Sequence, residues 1–512
     1  MKMRTLWAVL LPLLLLTGCW SADPTQEEML PILSSAMEEE TPVKDVPLPD
    51  SFSLPYWSGQ TLDPITCPDG SQQDLGALLY EGLFELDETF TAQPCLCASS
   101  SYDAATLTWT FTLRSGVTFS DGSPLTAADV VATLNRAANS QRYSARFSTI
   151  QSVSGEGSTV SIRLNRDNKL LPNLLDIPIV KSGTEKNAVP TGTGPYLWSS
   201  GDGGLCLMAN KNWWKGNTQP VDRIGLVAIK DQDDLLYQFT SHEVQLITAD
   251  LTGTSSFSTT GNIVFSDTDT TTMQYIGINV RREPLNTPAV RQALNQGFDR
   301  EYAISAFLSG HGKAAQFPIS PVSSLYPDTL ETVYSQESYV QALADAGLGE
   351  GHTTLTLLVN EENSFKVSMA RYIASTLSTA NLSIEVKTLP WEEYTAAIRA
   401  GNFDLYYGET RLTADWDLRR LMAAGGSLNY GGFSDATTNA LLAEFSSSGT
   451  SASAQRLCQQ YRQQVPFVTV CFKSTSVLVQ ENVVDGLAPT LANPFYNLEK
   501  WTIHLSDDKE SN

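Results

Sequence analysis

Apolar and polar residues alternate in some parts of this chain and recur with helical spacing in others. Residues 109–113 alternate between apolar and polar side chains, which predicts a half-buried strand. Residues 126–129 read Thr-Ala-Ala-Asp and predict the capped start of a helix, because the hydroxyl and the carboxylate can satisfy free amides of its first turn. Similar patterns predict strands at 273–279 and 383–388 and helices at 288–298 and 364–380. The mixture predicts an α/β or α+β protein.

The N-terminus carries a targeting pattern. Lys2 and Arg4 precede an apolar run at 6–16, which is far shorter than the ~20 residues that span a bilayer. Residues 16–19 read Leu-Thr-Gly-Cys and resemble a bacterial lipobox, in which the cysteine receives a lipid and becomes the mature N-terminus. We therefore expect a signal peptide at 1–18 and lipidation of Cys19. The alternative is an ordinary cleaved signal followed by an unrelated cysteine.

The charge balance excludes some partners. Acidic residues outnumber basic ones 56 to 33, the formal net charge is -23, and no Lys/Arg-rich stripe occurs. Such a chain lacks the clustered cations that bind phosphate backbones or anionic lipid headgroups. Nucleic acid is therefore excluded, and membrane attachment needs the lipid anchor. Residues 19–50 are acidic and rich in Pro, Ser and Thr, which predicts a flexible tether.

The sequence predicts neither a metal centre nor another cofactor. The four histidines have no ligand-like spacing. Six cysteines remain besides Cys19, and their pairing is open. Cys458 lies on an apolar helical stripe and could meet Cys471 of the following strand; buried free thiols are the alternative. The other four are Cys67, Cys95, Cys97 and Cys206.

No arrangement of residues supports catalysis. Residues 192–194 read Gly-Thr-Gly but lack the lysine of a phosphate-binding loop, so we interpret them as a tight turn. The chain has no Gly-x-Ser-x-Gly motif and no His-Glu-x-x-His motif. We therefore expect a binding protein and not an enzyme.

Several motifs together resemble the signature of family 5 extracellular solute-binding proteins, the peptide and nickel receptors of ABC importers. They follow the family's order over about residues 52–505, at 79–84, 109–131, 191–196, 210–216 and 290–300. Two places depart from the family pattern. Residues 242–245 read His-Glu-Val-Gln where the family usually has a Gly-Glu-hydrophobic-Asp turn, and Cys95 and Cys97 replace the usual Leu and Ala.

The resemblance implies a two-lobed fold like that of the periplasmic binding proteins, of type II and cluster C, with a hinge between the lobes. We expect lobe I at about 51–270 plus 477–512, with an extra subdomain at about 76–189, and lobe II at 271–476. The chain would cross between the lobes at 273–279 and near 472–477.

One stretch combines charged and aromatic residues at the end of a predicted strand. A strand at 403–407 is followed by a loop with Glu409, Arg411, Asp415 and Trp416, and then by a helix at 418–424. The Ala-Asp-aromatic motif at 414–416 matches the one that, in peptide-binding relatives, supplies a carboxylate to the α-ammonium of the peptide.

Each candidate ligand residue also has a plain structural interpretation. Asp415 could cap a helix, a role that Asp417 or Thr413 could also fill. Arg411 could bind a carboxylate of the ligand or pair with Glu409, and Trp416 could be a core aromatic. Further candidates are Tyr56 and Trp57, which fall where relatives line the cleft, and Asn429 and Tyr430 in a Gly-rich loop.

The sequence thus predicts a monomeric, lipid-anchored binding protein on the outer face of the bacterial cytoplasmic membrane. It would capture a short peptide between two closing lobes and deliver it to an ABC permease. The alternatives are the same fold with a nickel or other metal chelate or an oligosaccharide as ligand, and a surface sensor or adhesin without transport.

Overall fold

The computed structural model of the protein describes residues 47–201, 204–253 and 262–506. Its described residues from Leu48 onward form one compact unit. The predicted signal peptide, Cys19 and most of the predicted tether lie outside the described residues. Within the described ranges, no helix combines the length and apolar character that a membrane span requires.

The first part of the chain, up to residue 249, contains the strands β1 (Ser53–Trp57), β2 (Phe84–Leu86), β3 (Ala92–Pro94), β4 (Cys97–Asp103), β5 (Thr108–Leu113), β6 (Ile150–Glu156), β7 (Thr159–Leu164), β8 (Tyr196–Gly201), β9 (Gly204–Ala209), β10 (Arg223–Ile229) and β11 (Leu246–Ala249). They build two four-stranded sheets, in the orders β1-β10-β9-β8 and β4-β5-β7-β6, and the small β2-β3 ribbon. Its α-helices are α1 (Ser71–Leu79), α2 (Ala127–Ala137) and α3 (Gln232–Thr240). As predicted, Asp129 accepts the backbone N–H of Thr126 at the start of α2.

The second part of the chain, from residue 263 onward, contains the strands β12 (Ile263–Ile278), β13 (Gly312–Ala314), β14 (Thr353–Asn360), β15 (Leu382–Leu389), β16 (Leu405–Arg411), β17 (Phe467–Gln480), β18 (Val484–Asp485) and β19 (Thr502–Ile503). Together with β11, the strands β12 to β17 form a seven-stranded sheet of the order β11-β17-β12-β16-β14-β15, with β13 also paired to β17. The strands β18 and β19 form a separate pair. Its α-helices are α4 (Pro288–Gln296), α5 (Arg300–Phe307), α6 (Gln336–Leu343), α7 (Ser364–Leu377), α8 (Trp391–Ala400), α9 (Arg419–Met422), α10 (Ala436–Ser448) and α11 (Ser451–Gln464).

Two long antiparallel strands, β12 and β17, join the two parts. Residues 263–269 of β12 pair with the C-terminal half of β17, and residues 273–277 pair with its N-terminal half. All residues of β17 except Thr475 are buried, which suits a strand covered on both faces. Val477 lies in the core with β1 and α1, whereas Val470 lies in the core with β14 and α7. The predicted strand at 273–279 is therefore the second half of a longer strand.

A buried glutamate ties several sequence motifs together in the first part. Glu81 accepts hydrogen bonds from the indole N–H groups of Trp213, at 3.1 Å, and Trp214, at 2.9 Å. The hydroxyl of Thr193 donates to it at 2.8 Å. Three motifs that are far apart in sequence thus meet at one carboxylate.

The segment 192–194 is not the tight turn that its glycines predict. Gly194 donates its backbone N–H to the carbonyl of Leu79, and the segment runs closely along this neighbour. A Cβ on Gly192 would lie 2.1 Å from the Leu79 oxygen. The glycines are needed here for close backbone approach and not for a turn.

The six cysteines of the described residues are free and buried, so the predicted alternative of unpaired thiols is the one observed. Cys471 donates its thiol to the side-chain oxygen of Gln274. Burial raises the pKa of both the Cys458 and the Cys471 thiols, and Cys471 has a pKa of about 12. Both are therefore protonated at neutral pH.

Candidate functional site

Three neighbouring strands of the large sheet end at the same edge. β14 runs parallel to both β15 and β16, and α7 and α8 begin directly after β14 and β15. Ligands of open α/β sheets bind beyond the carboxyl ends of parallel strands. The side chains at this edge are therefore candidates for ligand contact.

Two candidate residues lie on a strand and not on the predicted loop. β16 spans Leu405–Arg411 instead of 403–407, because residues 405–411 pair with residues 272–278 of β12. Glu409 and Arg411 are consequently held by a regular ladder. The helix predicted at 418–424 is the single turn Arg419–Met422. Asp415, Trp416 and Asp417 form the loop between these elements.

Asp415 is buried, and its carboxylate accepts hydrogen bonds both from its own loop and from a distant segment of the chain. Its Oδ1 accepts the hydroxyl of Thr413 at 2.5 Å and the backbone N–H of Asp417 at 3.4 Å, and its Oδ2 accepts the side-chain amide of Asn168 at 2.8 Å. Asn168 belongs to the segment that follows β7 in the first part of the chain. Burial raises the pKa of Asp415, and the neighbouring charge of Asp417 raises it further. The ionised form is thus only partly compensated.

The two acids of the Asp-Trp-Asp sequence differ in their counter-ions. Asp417 pairs with Arg419 at 3.0 Å and with Arg166 at 3.3 Å. Asp415 forms no ion pair with any described residue. Arg146 is near enough for a charge interaction with it, but the Arg146 guanidinium pairs with Asp176. Of the two carboxylates, the more buried one lacks a paired cation.

Trp416 lies in the core. Its side chain is 1% exposed, and its ring makes edge contacts with Phe90 and Phe472. Its backbone has a φ of 53°, in the left-handed region that a bulky residue rarely adopts. Such a conformation costs roughly 1–3 kcal/mol and persists when the surrounding packing fixes it. The packed ring of Trp416 therefore fixes the position of the preceding Asp415.

Glu409 does not pair with Arg411. Its carboxylate accepts the amide of Gln274 at 2.9 Å and lies 3.4 Å from the ammonium of Lys366 and 3.8 Å from that of Lys473. Arg411 is exposed and forms no ion pair with the described residues. The alternative in which these two residues neutralise each other is excluded by these contacts.

No local pattern in the sequence predicts that Lys366, Lys473 and Gln274 lie at this edge. They lie on α7, β17 and β12, and sequence distance hides their proximity. The only local signal is the position of Lys366 in the first turn of α7, where the helix dipole disfavours a cation.

The remaining candidates lie at separate places. Tyr56 is half-buried against Trp198, and Trp57 packs beside the core of α3 and β11. The side-chain amide of Asn429 donates to two backbone carbonyls within 423–433 and so holds its own loop together. The ring of Tyr430 contacts that of Tyr406. Among the described residues, no hydrogen bond or ring contact joins these side chains to Asp415.

Within the part of the chain that the structure describes, no group of three or more His, Cys, Asp or Glu residues could hold a metal ion. The edge of the sheet instead presents Glu409 and Arg411 on β16, Lys366 in the helix that follows β14, and the buried carboxylate of Asp415, which has no paired cation among the described residues. This arrangement can bind a ligand by charge and hydrogen bonding, and it contains no nucleophile aligned with a base.

Comparisons with known proteins agree with this assessment. Residues 91–427 match the model for bacterial extracellular solute-binding proteins, family 5 middle. The chain is 23% identical over 478 residues to the oligopeptide-binding protein AppA of Bacillus subtilis strain 168, covering 85% of this chain and 88% of AppA. It is 24% identical over 389 residues to the glutathione-binding protein GsiB of Escherichia coli K12, covering 71% and 76%.

Solved structures share the fold. The periplasmic murein tripeptide binding protein MppA, in its unliganded open form, has a TM-score of 0.72 at 18% identity, covering 89% of this chain and 98% of MppA. A nickel ABC transporter structure from Bacillus halodurans has a TM-score of 0.71 at 20% identity, covering 87% and 98%. These matches confirm the expected α/β fold of the two-lobed binding proteins.

Proposed function

This chain belongs to family 5 of the bacterial extracellular solute-binding proteins, which are transport proteins and not enzymes, and we propose that its ligand is a short peptide with a free N-terminus. Two of its relatives are named for binding oligopeptides and glutathione. Both ligands are peptides that carry an ammonium group at one end. The proposal assigns Asp415 as the partner of that group.

The observation that carries the proposal is that the buried carboxylate of Asp415 forms no ion pair with a described residue. A buried carboxylate without a cation is costly, and the raised pKa of Asp415 reflects this cost. A peptide ammonium would supply the missing cation, since Thr413, Asn168 and the backbone N–H of Asp417 leave part of the carboxylate's acceptor capacity, about four lone-pair sites, unused. Trp416, held in the core, keeps the loop in place.

Calorimetry with a free-amine peptide and its N-acetylated form tests this assignment. Asp415→Ala should weaken binding of the free-amine peptide by about 2–5 kcal/mol, because the ammonium loses its partner. The acetylated peptide should bind poorly to both proteins. Asp417→Asn is the matched control, because Asp417 already has two arginine partners and should leave the preference for the free amine intact. Equal binding of both peptides to the wild type would contradict the proposal.

Other candidate residues receive different roles under this proposal. Arg411, Tyr56, Trp57 and Tyr430 remain proposed contacts of the ligand, since each is at least partly exposed. Asn429 and Trp416 act by fixing loops. Closure would bring lobe I (51–270 and 477–512) toward lobe II (271–476) by bending β12 and β17 where they join the two cores.

We also propose that the protein is held on the outer face of the membrane by a lipid on Cys19 and presents its ligand to an ABC permease. The motif at 16–19 and the acidic segment that follows support this part. Cys19→Ala should leave a folded, ligand-competent protein that is released from washed membranes. Its retention on the membrane would indicate another anchor.

A further inference from the structure

A second polar cluster at the same sheet edge contains equal numbers of acidic and basic groups. Lys473 of β17 is 4% exposed and pairs with Asp250 at 2.6 Å. Glu409 of β16 lies between Lys473 and Lys366 of α7. Because Asp250 already neutralises Lys473, Glu409 is the acidic partner of Lys366, for which no other acidic partner occurs among the described residues.

The strand register explains why these groups meet. Gln274 of β12 pairs with Glu409 on one side and with Cys471 on the other. Directly opposed residues point to the same face of a sheet, and Lys473 shares this face two residues after Cys471. The hydroxyl of Tyr407 and the thiol of Cys471 both donate to the amide oxygen of Gln274. Its amide N–H is thereby directed at Glu409.

The donors around Glu409 form a site for a carboxylate. An ammonium at 3.4 Å, a second ammonium at 3.8 Å and an amide N–H at 2.9 Å surround a single oxygen, Oε2. Lys366 is in the first turn of α7, where the partial positive charge of the helix end adds to its own. A cation in this position is unfavourable for the helix alone, and an anion beside it removes the penalty.

We propose that Glu409 is an internal counter-ion that occupies the place of a ligand carboxylate and so prevents this site from selecting a free carboxyl group. The inference rests on the proposed function, since it concerns the other end of a peptide bound at Asp415. A peptide would be recognised by its ammonium, while its carboxyl end finds the lysines already neutralised. The wild-type protein would then accept free-acid and amidated peptides alike.

Thermal unfolding in sodium acetate tests the counter-ion role without any peptide. Glu409→Gln keeps the size of the side chain and one acceptor oxygen for the amide of Gln274, but it leaves Lys366 without its anion. At about 0.1 M acetate, against sodium chloride of equal ionic strength, we expect Glu409→Gln to gain roughly 2 °C or more in Tm, because acetate binds only the folded form. The wild type, Glu409→Asp and the double variant Glu409→Gln/Lys366→Gln should not respond. An equal response of wild type and Glu409→Gln, or no response of Glu409→Gln, would overturn the proposal.

Calorimetry with tetra-alanine and its C-terminal amide tests the consequence for the ligand. The wild type should bind both within about threefold, whereas Glu409→Gln should prefer the free acid by roughly fivefold or more, a charge-assisted contact. A strong preference of the wild type for the free acid would contradict the inference. If the wild type binds neither form, the peptide assignment fails for this ligand, and the acetate result alone decides the role of Glu409.

Discussion

Glu81 and Asp415 are equally buried carboxylates in different environments. Glu81 is 5% exposed and Asp415 is 6% exposed, and burial raises the pKa of both. Glu81 receives hydrogen bonds from two indoles and a hydroxyl, and Lys215 adds a favourable charge. Asp415 receives hydrogen bonds from a hydroxyl, a side-chain amide and the backbone N–H of Asp417, forms no ion pair with a described residue, and faces the repelling charge of Asp417. The first carboxylate has a favourable neighbouring charge, and the second has an unfavourable one.

This difference separates a structural group from a candidate binding group. A buried acceptor with a full set of donors holds segments together, and nothing further is gained by adding a cation. A buried acceptor with a spare lone pair and no counter-ion gains when a cation arrives. The position of a carboxylate in the sequence does not tell these cases apart, but its hydrogen-bond partners do.

The largest effect is expected from removing the Glu81 acceptor. Glu81→Leu preserves the approximate volume but leaves the donors of Trp213, Trp214 and Thr193 without a partner. We expect it to lower the free energy of unfolding by about 3–5 kcal/mol, measured by chemical denaturation. Glu85→Gln, which loses only a half-exposed pair with Lys215, should cost less than about 1 kcal/mol. A smaller loss for Glu81→Leu than for Glu85→Gln would refute the structural role of Glu81.

Much of the fold could be predicted from the sequence because its signals are local. The alternating residues of β5, the capping pair of Thr126 and Asp129, and the helices at 288–298 and 364–380 all appear, with ends shifted by a few residues. The matched motifs imply the two-lobed fold. The sequence does not predict the first half of β12, because that half alternates poorly and is stabilised by its pairing with β17.

The candidate site was less predictable because it depends on distant pairs. The motif at 414–416 identifies Asp415 as a candidate ligand residue. It does not predict the contact of Asp415 with Asn168, because the two residues lie 247 positions apart. The partners of Glu409 come from three other elements, and no local pattern names them. Residues 242–245 depart from the family pattern, because His242 stands where the family usually has a glycine. His242 nevertheless has a φ of 64°, a conformation that a glycine adopts readily.

Asp74 is a third carboxylate, and it has fewer hydrogen-bond donors among the described residues than Glu81 or Asp415. Its side chain accepts one hydroxyl, that of Thr248, at 2.6 Å. Burial raises the pKa of Asp74 from 3.8 to about 7, and the Thr248 hydrogen bond offsets only part of this. The folded protein therefore holds a proton that the unfolded chain releases between pH values of about 4 and 7, so stability falls as the pH rises through this window.

Replacing Asp74 by Asn should remove that pH dependence. The gain in the free energy of unfolding should be larger at pH 8 than at pH 5 by about 2 kcal/mol, because only above the raised pKa must the folded state carry the buried charge. Denaturation at the two pH values measures it. Asp69→Asn, at an exposed position, is the control and should give the same small change at both. A pH-independent effect of Asp74→Asn would show that the carboxyl of Asp74 has the same pKa in the folded and unfolded states.

The smallest effect is expected at Asn168, whose amide is the donor that reaches Asp415 from the first part of the chain. Asn168→Ala should weaken binding of a free-amine peptide by about 1 kcal/mol, the value of one hydrogen bond that aligns the carboxylate. Loss of that donor also raises the pKa of Asp415, so the defect should grow as the pH falls toward 5. Calorimetry with free and N-acetylated peptide at two pH values measures both effects. If Asn168→Ala weakened the two peptides equally at both pH values, Asn168 would only stabilise its loop, and Asp415 would belong with Glu81 among the structural carboxylates.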